Sequence, residues 1–252
     1  MSDRAARTAD LVTKAAGEVG DRVERERWRL AILRRGIWFI DIPRTSSTSI
    51  NTELGERFGR PYGKHYGTAD HGGAPVLHDP VPAVRVRAYL GHRAWNRLFT
   101  FSVVRNPWDR VHSHYRFRRE RGSIPADMTF REYVLALCEA TATTPHFRSA
   151  DTRLGVADYL CDGKGKVIVS YVVRYERRAE DLARLGTLAP ALAGLGSVRL
   201  MQTAAEDSGY AAAYDEEMAA AIRTRYAADI ATFDLSAYDP FPADPPADDP
   251  RE

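Results

Sequence analysis

Ile37-Trp38-Phe39-Ile40-Asp41-Ile42-Pro43-Arg44-Thr45-Ser46-Ser47-Thr48-Ser49-Ile50 changes character twice. Its first six residues are short, apolar and β-prone, bounded by Gly36 and Pro43, which predicts a buried strand. Pro43 to Ser49 is a turn rich in hydroxyl side chains. A helix is predicted from Ser47 or Thr48, with Ile50 and Leu54 four apart on its buried face. The order is strand, loop, helix.

The same order recurs once. Phe99-Thr100-Phe101-Ser102-Val103-Val104 reads as a second strand, Asn106-Pro107 as the break, and Trp108 to Arg121 as a helix with Trp108, Val111 and Tyr115 along one side. Val167 to Val173 predicts a third strand, followed by a helix from Glu176 to Leu185. Thr129 to Ala140 is an amphipathic helix in which Thr129 and Glu132 have capping-box spacing. Tyr214, Met218, Ile222, Tyr226, Ile230 and Phe233 repeat every three or four residues, predicting one long helix from Tyr214 to Phe233. Alternating strands and helices imply an α/β fold with a mainly parallel sheet.

The 252 residues, 44% of them hydrophobic and 28% charged, suit one globular domain. That domain is expected over residues 1–238. The Pro- and Asp-rich end FPADPPADDPRE cannot pack a core, so residues 239–252 are expected to be a disordered tail. The longest apolar runs fall far short of the roughly 20 residues that span a bilayer. The opening MSDRAARTADLVTKAAGEVGDRVERERW mixes both charges and lacks the basic-then-apolar order of a secretory signal, so a cytoplasmic location is expected. Cys138 and Cys161 stand in no zinc-ligand spacing, and Cys138 reads as a small buried residue. A net charge of +2 conceals Arg105, Arg110, Arg116, Arg118, Arg119 and Arg121 within one short span, which suggests a local anion site.

Ligands of open α/β sheets bind beyond the carboxyl ends of the strands. Both clear strand ends here carry anion chemistry. In Pro43-Arg44-Thr45-Ser46-Ser47-Thr48-Ser49, backbone N–H groups at a helix N-terminus are joined by five hydroxyls and a guanidinium, a cradle for phosphate or sulfate. In the second loop, Arg105 leaves the strand and Ser113 follows two turns into the helix. A guanidinium fork and a hydroxyl can share one phosphate there. Arg116, Arg118, Arg119 and Arg121 read as a solvated basic face.

The paired segments IDIPRTSSTSI and FSVVRNPWDRVHSHY resemble the 5'-phosphosulfate loop and the 3'-phosphate site of sulfotransferases that use 3'-phosphoadenosine-5'-phosphosulfate (PAPS). The carbohydrate-type branch, which includes chondroitin, dermatan and heparan sulfotransferases and bacterial relatives, is the most similar. The resemblance continues more loosely through Lys64-His65, Tyr175-Glu176 and the Tyr214 to Tyr238 region. It implies a P-loop-NTPase-like sulfotransferase fold, with PAPS as sulfuryl donor and the 3',5'-bisphosphate PAP as product. Position by position, it implies that Arg44 contacts the 5'-phosphate and the bridging oxygen. Thr45, Ser46, Ser47, Thr48 and Ser49 would wrap the phosphosulfate, and Arg105 with Ser113 would hold the 3'-phosphate. Position 44 is Arg where that family more often has Lys, which favours electrostatic stabilisation over proton donation.

Sulfuryl transfer needs in-line attack and absorption of charge on the leaving phosphate, so positioning carries most of the rate and the scheme calls for no metal. The acceptor hydroxyl needs a general base near neutrality. His65, after Lys64 in the loop-like stretch Gly59 to Pro82, is the choice, because the related bacterial enzymes have a Lys-His pair there. His71 and His92 are reserves and Asp70 a weaker carboxylate alternative. His112 and His114 read as helix-surface or nucleotide-adjacent groups. Trp95, Trp108 and Tyr115 read as core.

A P-loop kinase is the rival enzyme class, but nothing matches G-x-x-x-x-G-K-[ST] and the first loop has no glycine. A non-catalytic polyanion-binding module would use the Arg105 to Arg121 stretch, against which the small net charge argues, and no nucleic-acid partner is expected. The expected partner is a hydroxyl-bearing acceptor, a carbohydrate or glycosylated small molecule. Oligomeric state is not legible in the sequence.

Overall fold

The computed structural model describes residues 26–27, 29–59, 80–141, 143–147, 153–196 and 209–242. A helical segment through residue 35 ends where the Gly36 N–H bonds to the Ile32 carbonyl at 3.1 Å, with Gly36 at φ +69°. That positive φ is one that glycine tolerates without steric cost. The chain then enters β1 (Ile37–Ile40), whose four residues are all buried.

Three parallel strands, β1, β2 (Phe99–Val104) and β3 (Tyr171–Arg174), form a sheet in sequence order, with β2 central. Ile37 pairs with Phe99, and Phe101 with Tyr171. Parallel neighbours require crossovers, and helices supply them. The β1–β2 connection includes α1 (Ser47–Phe58), α2 (Ala83–Leu90) and the short α3 (His92–Trp95). Between β2 and β3 lie α4 (Pro107–Glu120), α5 (Phe130–Glu139) and α6 (Val156–Leu160). A 3-10 turn at Tyr175–Arg177 leads into α7 (Arg178–Leu188), and α8 (Glu216–Arg225) and α9 (Ala227–Phe233) close the order.

Central β2 carries hydroxyls into the interior, and each is satisfied there. Ser102 Oγ donates to the Ile40 carbonyl at 2.8 Å, and the Ser170 N–H donates to Thr100 Oγ1 at 2.9 Å. Buried polar groups must be paired in this way or the sheet loses stability. One apolar cluster packs the sheet against α1 to α3, with Ile50, Leu54, Phe101 and Val103 fully buried. A second surrounds α4, α5 and α8 and contains Trp108, Tyr133, Met218 and Ile222.

The second strand and the Thr129 capping box match the sequence expectation, and α4 begins one residue early because Pro107 occupies its first turn behind the Asn106 cap. Three expectations are corrected. The third strand starts at Tyr171 instead of Val167, because Val167 makes an antiparallel bridge with Cys161 and the Ile168 N–H bonds to the Leu160 carbonyl at 2.9 Å. The helix expected from Tyr214 to Phe233 is two helices, broken at buried Tyr226 (φ −112°, ψ 28°). The tail expected from residue 239 is still anchored there: Arg223 donates to Asp239 Oδ2 at 2.6 Å and to the Phe241 carbonyl at 2.7 Å. Helices α2, α3 and α6 were not expected. The Gly59 to Pro82 stretch falls outside the described residues from 60 to 79. Among the described residues no helix is long and apolar enough to cross a membrane.

Candidate anion-binding site at the carboxyl edge of the sheet

Both strand-end loops lie at the same edge of the sheet because β1 and β2 are parallel neighbours. The first loop is conformationally tense. Arg44 (φ +68°) and Ser46 (φ +69°) both occupy the left-handed region without being glycine. Each such residue costs about 1–3 kcal/mol and persists only where its surroundings over-determine it. Those surroundings are visible. Thr45 Oγ1 donates to the Ile42 carbonyl at 2.9 Å, Arg105 Nη1 to the Arg44 carbonyl at 3.2 Å, and Arg110 Nε to the Pro43 carbonyl at 3.2 Å.

The loop opens α1, whose N-cap Ser46 makes no side-chain capping bond and whose first turn carries no acid. A helix N-terminus of this kind favours an anion. The five hydroxyls, however, do not all face outward. Thr45, Ser47 and Ser49 are buried, with the Thr45 hydroxyl spent on the loop itself, while Ser46 and Thr48 are half-buried.

Arg44 reaches across to the second loop. Its Nε and Nη2 donate to Ser113 Oγ at 3.2 and 3.0 Å, and its guanidinium lies 4.5 Å from the Phe117 ring centroid. Burial first, and the neighbouring Arg105 charge second, lower the Arg44 pKa from the usual arginine value. An anion set beside Arg44 would favour the charged guanidinium and so oppose both effects.

Arg105 makes no hydrogen bond to Ser113. It is bound two-fold by Asp109, with Nε to Oδ2 at 2.7 Å and Nη2 to Oδ1 at 2.7 Å, and it sits 4.1 Å from the Tyr175 ring centroid. Asn106 caps α4 by accepting from the Asp109 N–H at 2.9 Å. Glu176 in turn accepts from the Asn106 N–H at 2.6 Å and from its side-chain amide at 2.8 Å, joining the end of β3 to the end of β2. From sequence, Asp109 and Phe117 have no role in the site, and Arg110 and Glu176 enter only as part of the arginine cluster and of the looser resemblance. Only the opposite charges of Arg105 and Asp109, close in sequence, hint at their pair, which forms across the N-cap because Arg105 precedes α4 and Asp109 lies in its first turn.

Among the histidines, His65 and the reserve His71 lie outside the described residues, as do Lys64 and Asp70. His92 is exposed on α3, before β2 begins, and therefore at the opposite edge of the sheet from the two loops. His112 is half-buried in a T-shaped pair with Phe130, centroids 5.2 Å apart, and burial lowers its pKa. His114 is a core residue, not a helix-surface group. It is 4% exposed, with Nδ1 3.1 Å from the Tyr133 hydroxyl. Burial, reinforced by Arg110, Arg118 and Arg44, holds its pKa well below the ordinary value. Trp95, Trp108 and Tyr115 are buried as expected, and Cys138 is partly buried with its thiol pushed up to about 11 by burial.

Comparison with protein-family models, with curated proteins and with solved structures yields no match to this chain. Among the described residues no group of three or more His, Cys, Asp or Glu side chains could hold a metal ion.

Proposed function

We propose that the chain is a sulfotransferase that moves a sulfuryl group from PAPS to a hydroxyl acceptor, a carbohydrate or small molecule. The finer fold class, a P-loop-NTPase-like sulfotransferase fold, belongs to the same proposal. The observation that carries it is the meeting of Arg44 and Ser113, from the two segments that resemble the donor-binding loops, beside buried Arg105. A helix N-terminus without an acid in its first turn and two converging guanidiniums make this place suited to a di-anionic or tri-anionic ligand.

In this reading Arg44 and the N–H groups that open α1 hold the 5'-phosphosulfate and take up charge on the leaving phosphate oxygen. Arg105 and Ser113 hold the 3'-phosphate, and their binding energy aligns the sulfur for in-line attack. His65 takes the proton of the acceptor hydroxyl. Asp109 and Glu176 would hold Arg105 and Asn106 in place for the ligand. Such preorganisation avoids reorganisation cost at the moment of reaction.

The test is calorimetric titration with PAP, with ATP as the control ligand, followed by sulfuryl transfer from PAPS to a panel of hydroxyl acceptors. Micromolar PAP binding that exceeds ATP binding supports the reading. Binding of ATP alone, or of neither nucleotide, overturns it.

A further inference from the structure

Arg110 is a charged side chain that is only 5% exposed. Its Nε donates to the Pro43 carbonyl at 3.2 Å and its Nη2 to the Leu154 carbonyl at 2.8 Å. Five residues earlier, Arg105 donates through Nη1 to the Arg44 carbonyl at 3.2 Å. Two guanidiniums, one from the loop after β2 and one from the first turns of α4, thus hold two successive carbonyls of the first loop.

A trans peptide is planar, with its C=O and N–H on opposite sides. Holding the Pro43 oxygen toward Arg110 turns the Arg44 N–H away from Arg110. Holding the Arg44 oxygen toward Arg105 likewise turns the Thr45 N–H away from Arg105. These two peptides flank the Arg44 Cα, whose φ of +68° is disfavoured for any residue with a Cβ. The bonds from Arg110 and Arg105 are therefore placed where the strained conformation must be held.

At its other end Arg110 meets a second built feature. Leu154 is followed by Gly155, and the Val156 and Ala157 N–H groups donate to buried Asp229 at 2.7 and 2.9 Å. A Cβ on Gly155 would fall 2.4 Å from Asp229 Oδ1, so the carboxylate packs directly on bare backbone. The positive charge of Arg110 opposes the effect of burial on Asp229, whose pKa burial raises. One side chain connects the strained loop after β1 to the start of α6 and, through Asp229, to α9.

We propose that Arg110 is a positioning residue for the anion cradle: by holding the Pro43 carbonyl it aims the Arg44 N–H and sets the strained backbone from which the Arg44 guanidinium reaches Ser113. The inference deepens the reading above where the ligand is PAPS, and its geometry applies equally to a smaller oxyanion. Lysine keeps the charge at this position but cannot place two donors in a planar fork, so the second carbonyl is released.

The experiment follows backbone amide shifts of Arg44 and Thr45 in the isotope-labelled full chain during titration with inorganic pyrophosphate and, separately, with PAP. Wild type, Arg110→Lys and Arg110→Met are compared, and thermal unfolding of each is recorded. In wild type both amides shift with either probe. In a folded Arg110→Lys chain the two amides already differ before any ligand is added, and pyrophosphate affinity falls about tenfold. A variant with a lowered Tm but wild-type affinity and amide positions in its folded state would show a purely structural arginine and overturn the proposal. Should Arg110→Met fail to fold, the lysine variant and the wild-type amide response still decide. Pyrophosphate binding without PAP binding would sink the sulfotransferase reading while leaving this proposal to the pyrophosphate arm, and no amide response to either probe in wild type would overturn it.

Discussion

The Arg44 guanidinium donates twice to Ser113 Oγ, at 3.2 and 3.0 Å, across 69 residues of sequence. This joins the loop after β1 to the face of α4. Ser113→Ala removes the acceptor with little change in volume. Because Arg44 is half-buried, the stability cost is expected to be about 1 kcal/mol or less. PAP affinity is expected to fall about tenfold, since a hydrogen bond to a charged group is lost. Calorimetry beside thermal unfolding separates the two; an unchanged PAP affinity would remove Ser113 from the site.

Asp109 holds Arg105 in a pair whose side chains are each only 7% exposed. Breaking such a pair from one side leaves a buried charge without its counter-ion. Asp109→Ala is expected to cost about 3–5 kcal/mol. Urea unfolding measures it, and a loss under 1 kcal/mol would show that Arg105 finds other compensation.

Glu176 offers Oε1 to both nitrogens of Asn106, while its Oε2 has no hydrogen-bond partner among the described residues. Glutamine retains the useful oxygen, whereas alanine abandons a buried N–H. Glu176→Ala is therefore expected to lower stability by about 1–3 kcal/mol, and Glu176→Gln by clearly less. Equal losses for the two variants would mean that the charge matters more than the acceptor.

His114 is buried against Tyr133 with its pKa held well below the usual 6.5. For a base with a depressed folded pKa, the unfolded chain binds the proton first. The associated stability is present above pH 6.5 and is lost as pH falls toward the folded value, at up to about 1.4 kcal/mol per pH unit. Tm measured from pH 7.5 downward should decline more steeply in wild type than in His114→Gln. Parallel curves would show that other groups govern the acid limb.

Local chemistry explains which parts of the fold were legible without coordinates. Phe99 to Val104 is a β-prone apolar run closed by the Asn106-Pro107 break, and Thr129 with Glu132 satisfy each other within one helical turn. Both signals act over a few residues, where spacing and conformation are tightly linked. The Tyr214 to Phe233 periodicity misled because its spacing survives the break at Tyr226. Past that break α9 carries Asp229, which caps the start of α6 far away in sequence, a demand that periodicity does not encode.

For the site, the sequence by itself determined that two anion-suited loops follow two strands and that Arg44, Arg105 and Ser113 stand in them. Tertiary structure alone decided who holds whom. Ser113 receives Arg44, while Arg105 is engaged by Asp109 and by the Arg44 carbonyl. It also decided that Thr45 turns its hydroxyl inward and that His92 belongs to the far edge of the sheet. The reason is physical: a side chain's type sets which bonds it can make, but only the parallel pairing of β1 with β2 brings the two loops within reach of one another.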